Sequence, residues 1–160
     1  MSNNFKNWKT FSLWILFSEA VGFTAGILTR EATQIYANEI IKPFLAPPSI
    51  LFPVVWTLLY ALMGYGTAEI FLSPKSKQRT QGLTFFFIQL FLNFCWCFLF
   101  FSFQKFGLAF FLLLALLAAV IFMAKSFCRM NKLAAYLQIP YILYFMVNFC
   151  CLPELFSLDS

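Results

Sequence analysis

Five long apolar runs, separated by brief polar interruptions, fill nearly the whole chain, at about residues 11–29, 50–72, 83–103, 107–127 and 133–152. Each is close to the roughly 20 residues that an α-helix needs to cross a bilayer's hydrocarbon core. The pattern predicts an all-α integral membrane protein, a single five-transmembrane-helix bundle over residues 1–160 with no room for a soluble domain. The first run follows a polar start with Lys6 and Lys9 and has no small-residue cleavage site behind it, so it reads as a retained span and not a signal peptide. Ser73, Pro74 and the basic Lys75, Lys77 and Arg79 end the second run. Gln104 and Lys105 form a turn too short for anything but an antiparallel neighbour. In the fifth run Pro140 predicts a kink and Pro153 an end. The longest interruption, residues 30–46, exceeds what packed spans usually need and is a candidate lid.

The densest local pattern lies at residues 47–66. Pro47 and Pro48 lack an amide hydrogen that a helix start leaves unused, and Pro53 falls in the first turns, where a missing donor costs least. Beyond them Trp56, Tyr60 and Met63 recur at intervals of four and three and so share one stripe. Gly64 and Ala68 form a small-xxx-small pair that lets another backbone approach.

Composition agrees with the pattern: 62% of the residues are apolar and 11% charged, with a mean hydropathy of +0.81, beyond what a soluble domain of this length can hide from water. Histidine is absent, which removes the commonest general base, neutral metal ligand and haem ligand together. The cysteines Cys95, Cys97, Cys128, Cys150 and Cys151 show no zinc-like spacing and read as packing residues, so neither a metal nor a cofactor is expected. Cys95 and Cys97 point about 200° apart on a helix and do not suit a disulfide. Eight Lys and Arg fall on the side of the N-terminus and three on the other. The positive-inside rule then puts the N-terminus in the cytoplasm and the long loop outside. No basic stripe stands clear of the membrane edges, so a nucleic-acid partner is not expected.

The run Phe52-Pro53-Val54-Val55-Trp56-Thr57-Leu58-Leu59-Tyr60-Ala61-Leu62-Met63-Gly64-Tyr65-Gly66, preceded by Pro47-Pro48, resembles the second-helix signature of the translocator protein (TspO/MBR) family, also called tryptophan-rich sensory proteins or peripheral benzodiazepine receptors. Gly22 to Gly26, Lys42-Pro43, Leu92-Asn93 with Trp96, and Pro140-Tyr141 match in order and spacing. The resemblance implies a five-helix bundle, usually a homodimer, whose pocket binds porphyrins and, in eukaryotic members, cholesterol and benzodiazepine-type ligands. By position it implies that Trp56, Tyr60, Asn93 and Trp96 form the pocket, that Tyr36 belongs to the lid and Pro47 to the signature, and that Gly22 faces the bundle. A flat macrocycle needs aromatic faces for stacking and one or two polar anchors in a dry site.

The chain also departs from that family. Tyr144 stands where a Trp is usual, Asn148 stands near a usually small position, and Cys97-Phe98 replace a Pro after Trp96. The late Leu-Asn-x-x-x-Trp pattern is missing, and no Lys or Arg follows Tyr144, which removes the sterol-type motif at that end. Tyr144 and Asn148, spaced i and i+4, are added to the candidate ligand contacts, with interhelical hydrogen bonding as the other reading of the pair.

Glu19 sits mid-span, where a carboxylate costs about 2.5–3.5 kcal/mol unless it faces a polar interior. It is either a protonated structural carboxylate hydrogen-bonded across helices or a proton or ligand site, while Glu69, at the membrane edge, reads as solvated. The reading that results is a receptor or transporter-like protein binding a tetrapyrrole or related hydrophobic ligand, in a bacterial cell membrane rather than a mitochondrial outer membrane. The alternative is a proton-coupled small-molecule transporter using Glu19. Porphyrin-degrading catalysis is disfavoured by the missing histidines and by Tyr144.

Overall fold

Helices follow one another with short breaks, and their close approaches occur where side chains are small. The computed structural model describes residues 2–39 and 51–156, with side chains over 7–35, 53–105 and 107–147. The order is α1 (Ser2–Leu28), α2 (Arg30–Glu39), α3 (Leu51–Leu72), α4 (Lys77–Cys97) running into a π-helical turn (Phe98–Ser102), α5 (Phe106–Cys128), α6 (Lys132–Tyr136) and α7 (Ile139–Phe156). Among the described residues four stretches are long and apolar enough to cross a membrane, Asn7–Leu28, Pro53–Leu72, Lys77–Ser102 and Gly107–Cys128, and Lys132–Val147 is a shorter apolar one. Large apolar side chains point outward along them; Leu13, Phe91 and Phe111 are each about two-thirds exposed. Water does not tolerate such a surface, and lipid does. The protein is a multi-pass membrane protein, all-helical among the described residues, in agreement with the expected bundle.

The glycines of α3 serve two different neighbours. A Cβ on Gly64 would stand 2.7 Å from Trp14 O and Ile15 Cα, so this position is where α1 and α3 bring their backbones together. Gly66 does the same for α6: a Cβ there would fall 2.6 Å from Gln138 Nε2 and 3.1 Å from Ala134 O. Trp14 lies among Phe71, Phe86 and Phe87, at centroid distances of 5.3, 5.6 and 6.0 Å, and welds α1 to α3 and α4.

Several boundaries differ from the sequence reading, each for a local reason. The connection 30–46 opens with a helix, because Thr29 N donates to Ala25 O and Thr33 N to Thr29 O and so carry the helical pattern across the turn after α1. The third span begins at Lys77, where Ser76 caps it by accepting from Arg79 N at 3.1 Å. Pro140 does not kink a continuous helix. Having no amide, it stands second in α7, and the chain breaks just before it, dividing the fifth span into α6 and α7. Asn131 caps α6 by accepting from Leu133 N at 2.9 Å. Nor does Pro153 end the last helix, which continues to Phe156. Glu69 is not simply solvated, since its Oε2 accepts from Asn131 Nδ2 at 3.0 Å and ties α3 to the turn before α6. Cys95, Cys97 and Cys128 are free thiols.

Candidate functional site

α1 and α3 run antiparallel and pack tightly at Gly64; toward the C-terminal end of α1 they part around a cavity of about 760 Å³. Its α1 wall is Glu19, Gly22, Phe23, Gly26 and Ile27, spaced so that they share one helix face. Thr29, Arg30, Thr33 and Gln34 extend that wall onto α2, which forms the roof. The opposite wall is Pro53, Trp56, Thr57 and Tyr60, again at helical spacing, and Cys97 and Phe101 close the side.

The wall is preorganised by contacts behind it. Trp56 stacks on Trp96 at 6.4 Å and 23°, and Trp96 stacks on Phe100 at 4.8 Å and 18°, so three aromatic rings form a pile whose Trp56 end lines the cavity. Trp56 Nε1 donates to Tyr144 Oη at 3.1 Å, which fixes the indole's rotation from α7. Tyr60 lies 5.6 Å from Trp56, and its ring occupies the space over Gly22, where a Cβ would stand 2.5 Å from Cε2. Only glycine fits under that ring. The π-helical turn carries Phe103 N to Phe98 O at 2.9 Å and offsets the register after Cys97. Phe100 thereby joins the pile while the adjacent Phe101 faces the cavity.

Deeper in the bundle lies a directed chain of buried polar groups. Asn93 Nδ2 donates to Tyr141 Oη at 2.7 Å, Tyr141 Oη donates to Gln89 Oε1 at 3.0 Å, and Gln89 Nε2 faces the sulfur of Met63. In a medium without water such a chain joins α4, α7 and α3 at fixed positions.

Of the residues expected at the site, Gly22, Trp56, Tyr60 and Glu19 line the cavity. Trp96 and Tyr144 stand behind Trp56, and Asn93 is fully buried in the polar chain, so these three position the wall and do not form it. Pro47 and the side chains of Tyr36 and Asn148 lie outside the described residues. The sequence reading passed over Gln89 and Cys97 as site residues, although both share a helix face with Asn93 at four-residue spacing. Phe101 continues the same four-residue spacing from Cys97 and lines the cavity from within the π turn.

Two charged groups touch the cavity, Arg30, exposed at the rim, and Glu19 at mid-span. Glu19 Oε1 is buried with no hydrogen-bond partner among the described residues. Among those residues no group of three or more Cys, Asp or Glu could hold a metal ion.

A family model described as the TspO/MBR family matches residues 14–151. The chain is 35% identical over 136 residues to a tryptophan-rich protein TspO of Chlorobaculum tepidum, a match covering 83% of this chain and 85% of that protein. It is 33% identical over 124 residues to the translocator protein of Bos taurus, covering 76% and 73%. With protein CrtK of Rhodobacter capsulatus it shares 26% identity over 138 residues, 86% of this chain and 84% of that one.

Proposed function

Because the chain belongs to the TspO/MBR family of membrane sensory and translocator proteins, we propose that it is a receptor or transporter-like protein that takes a flat hydrophobic ligand, a tetrapyrrole such as a porphyrin, into the cavity beneath α2. The observation that carries this reading is the wall of Trp56, Tyr60 and Phe101 along a space of about 760 Å³. That volume lies within the range of about 300–1,000 Å³ usual for small-molecule sites. A rigid aromatic wall stacks on a planar ligand at little entropic cost, since Trp96, Phe100 and Tyr144 already hold Trp56 in place. α2 acts as the lid through Arg30, Thr33 and Gln34, and Arg30 at the rim suits an acidic substituent on the ligand. The natural setting in this reading is a bacterial cell membrane, with the N-terminus in the cytoplasm and the cavity toward the opposite face.

The test is a titration of the detergent-purified protein with protoporphyrin IX, following tryptophan quenching and the Soret shift in wild type and Trp56→Phe side by side. Saturable binding, weakened about two- to tenfold by the substitution, is expected, the size of one lost stacking contact. Saturable binding that Trp56→Phe leaves unchanged would place the porphyrin elsewhere on the bundle. Absence of saturation in wild type would remove the tetrapyrrole from the proposal.

A further inference from the structure

Glu19 is not explained by a tetrapyrrole site. A carboxylate at mid-span costs about 2.5–3.5 kcal/mol on insertion scales and is retained where something pairs with it. Glu19 Oε1 is buried and has no hydrogen-bond partner among the described residues. The neighbouring hydroxyls of α1 are committed to their own helix, Ser18 Oγ donating to Trp14 O and Thr24 Oγ1 to Ala20 O. The other charged group of the cavity, Arg30, stands eleven residues farther along, roughly 16 Å at the helical rise, and is exposed at the rim. Glu19 thus forms one end of a cavity whose flanks are Phe23, Trp56 and Tyr60. A carboxylate that accepts hydrogen bonds, set among aromatic faces whose quadrupoles attract positive charge, is the recognition chemistry for an organic cation.

We propose that the cavity is a site for lipophilic amines, with the ammonium group against Glu19 and an aromatic body between Trp56, Tyr60 and Phe101. The two ends of the cavity then serve opposite charges, Glu19 a cation inside and Arg30 an anion at the rim. A cation and an acidic planar ligand compete for the same aromatic wall while using different polar anchors. The inference rests on the cavity being a ligand site and is independent of whether a porphyrin is the ligand.

The experiment compares naphthylethylamine with naphthylethanol, which has the same aromatic body and no cation, by calorimetric titration of the detergent-purified full chain. In wild type the amine is expected to bind about tenfold or more tighter than the alcohol, the scale of a desolvated charge-assisted contact. In Glu19→Gln the amine should fall to the level of the alcohol, and unchanged binding of the alcohol would show that the cavity persists. Equal affinities in wild type, or an amine preference that survives Glu19→Gln, would overturn the proposal. Protoporphyrin IX titrated in parallel separates the two readings. Porphyrin binding without amine preference defeats only the present inference, whereas failure of all three probes defeats the cavity as a ligand site.

Discussion

The Trp56–Tyr144 contact ties the cavity wall to α7 through a single phenol. The family resemblance implies a tryptophan in place of Tyr144, and an indole can only donate a hydrogen bond. The phenol of Tyr144 instead accepts from Trp56 Nε1, at 3.1 Å. Tyr144→Phe and Tyr144→Trp should therefore have the same first effect, removing this acceptor from Trp56 Nε1. Each is expected to lower stability by about 1–3 kcal/mol, read as a fall in the thermal unfolding midpoint in detergent; a phenylalanine variant as stable as wild type would show the bond to be dispensable. Gly22 and Gly26, alike in the sequence, should separate under substitution. Gly22→Ala drives a methyl group into the ring of Tyr60, whereas a Cβ on Gly26 meets nothing within 4 Å. Protoporphyrin affinity should drop several-fold in the first variant, as the ring is pushed into the cavity, and much less in the second. Equal losses in titrations of the two would mean that Tyr60 yields without cost. Spacing in the sequence puts Trp56 and Tyr60 on one stripe, and the family resemblance, not spacing, implies that Gly22 faces the bundle. The sequence could not reveal that Tyr144, 88 residues away from Trp56, is its hydrogen-bond acceptor, because that pairing exists only once α3 and α7 are packed.

At the scale of the helix, what was legible in the chain was apolar length, and what was not was the interruption of length by backbone chemistry. The runs that become α1, α3, α4 and α5 announce themselves by hydropathy. The break between α6 and α7, the π turn after Cys97 and the helical start of the long connection do not, since each is decided by which carbonyl finds which amide. Pro140 illustrates the difference: a kink and a helix start look alike in sequence, yet they predict opposite costs. At the second position of α7 its missing amide is needed by no carbonyl. Pro140→Ala is accordingly expected to change stability by less than about 1 kcal/mol, against the roughly 3 kcal/mol associated with an interior proline. Gly64→Ala should be far more damaging despite adding only one methyl group, because that group meets the backbone of α1 at 2.7 Å and not a movable side chain. A loss of about 1–3 kcal/mol is expected for such overpacking, and unchanged unfolding midpoints would mean that α1 and α3 can separate freely.

The whole molecule has two chemically unlike ends, and they bear on how it sits in a membrane. Trp8, Lys75, Lys77, Arg79, Lys132 and Tyr136 gather at the end where α1 begins, α3 meets α4 and α5 meets α6. Exposed aromatic rings at headgroup depth, together with cations, are what a membrane–water interface selects. The cavity lies toward the other end, beneath α2, so with the N-terminus in the cytoplasm, as proposed, a ligand would enter from the outer face or laterally from its leaflet. Orientation can be read without adding a tag, because Cys128 is a free, exposed thiol at the last residue of α5, on the basic end. With Cys95, Cys97, Cys150 and Cys151 changed to alanine, a membrane-impermeant maleimide should label Cys128 in inverted membrane vesicles and not in intact cells. Labelling confined to intact cells would reverse the topology. It would then turn the cavity and Arg30 toward the cytoplasm, so that any ligand it takes up would have to come from inside the cell.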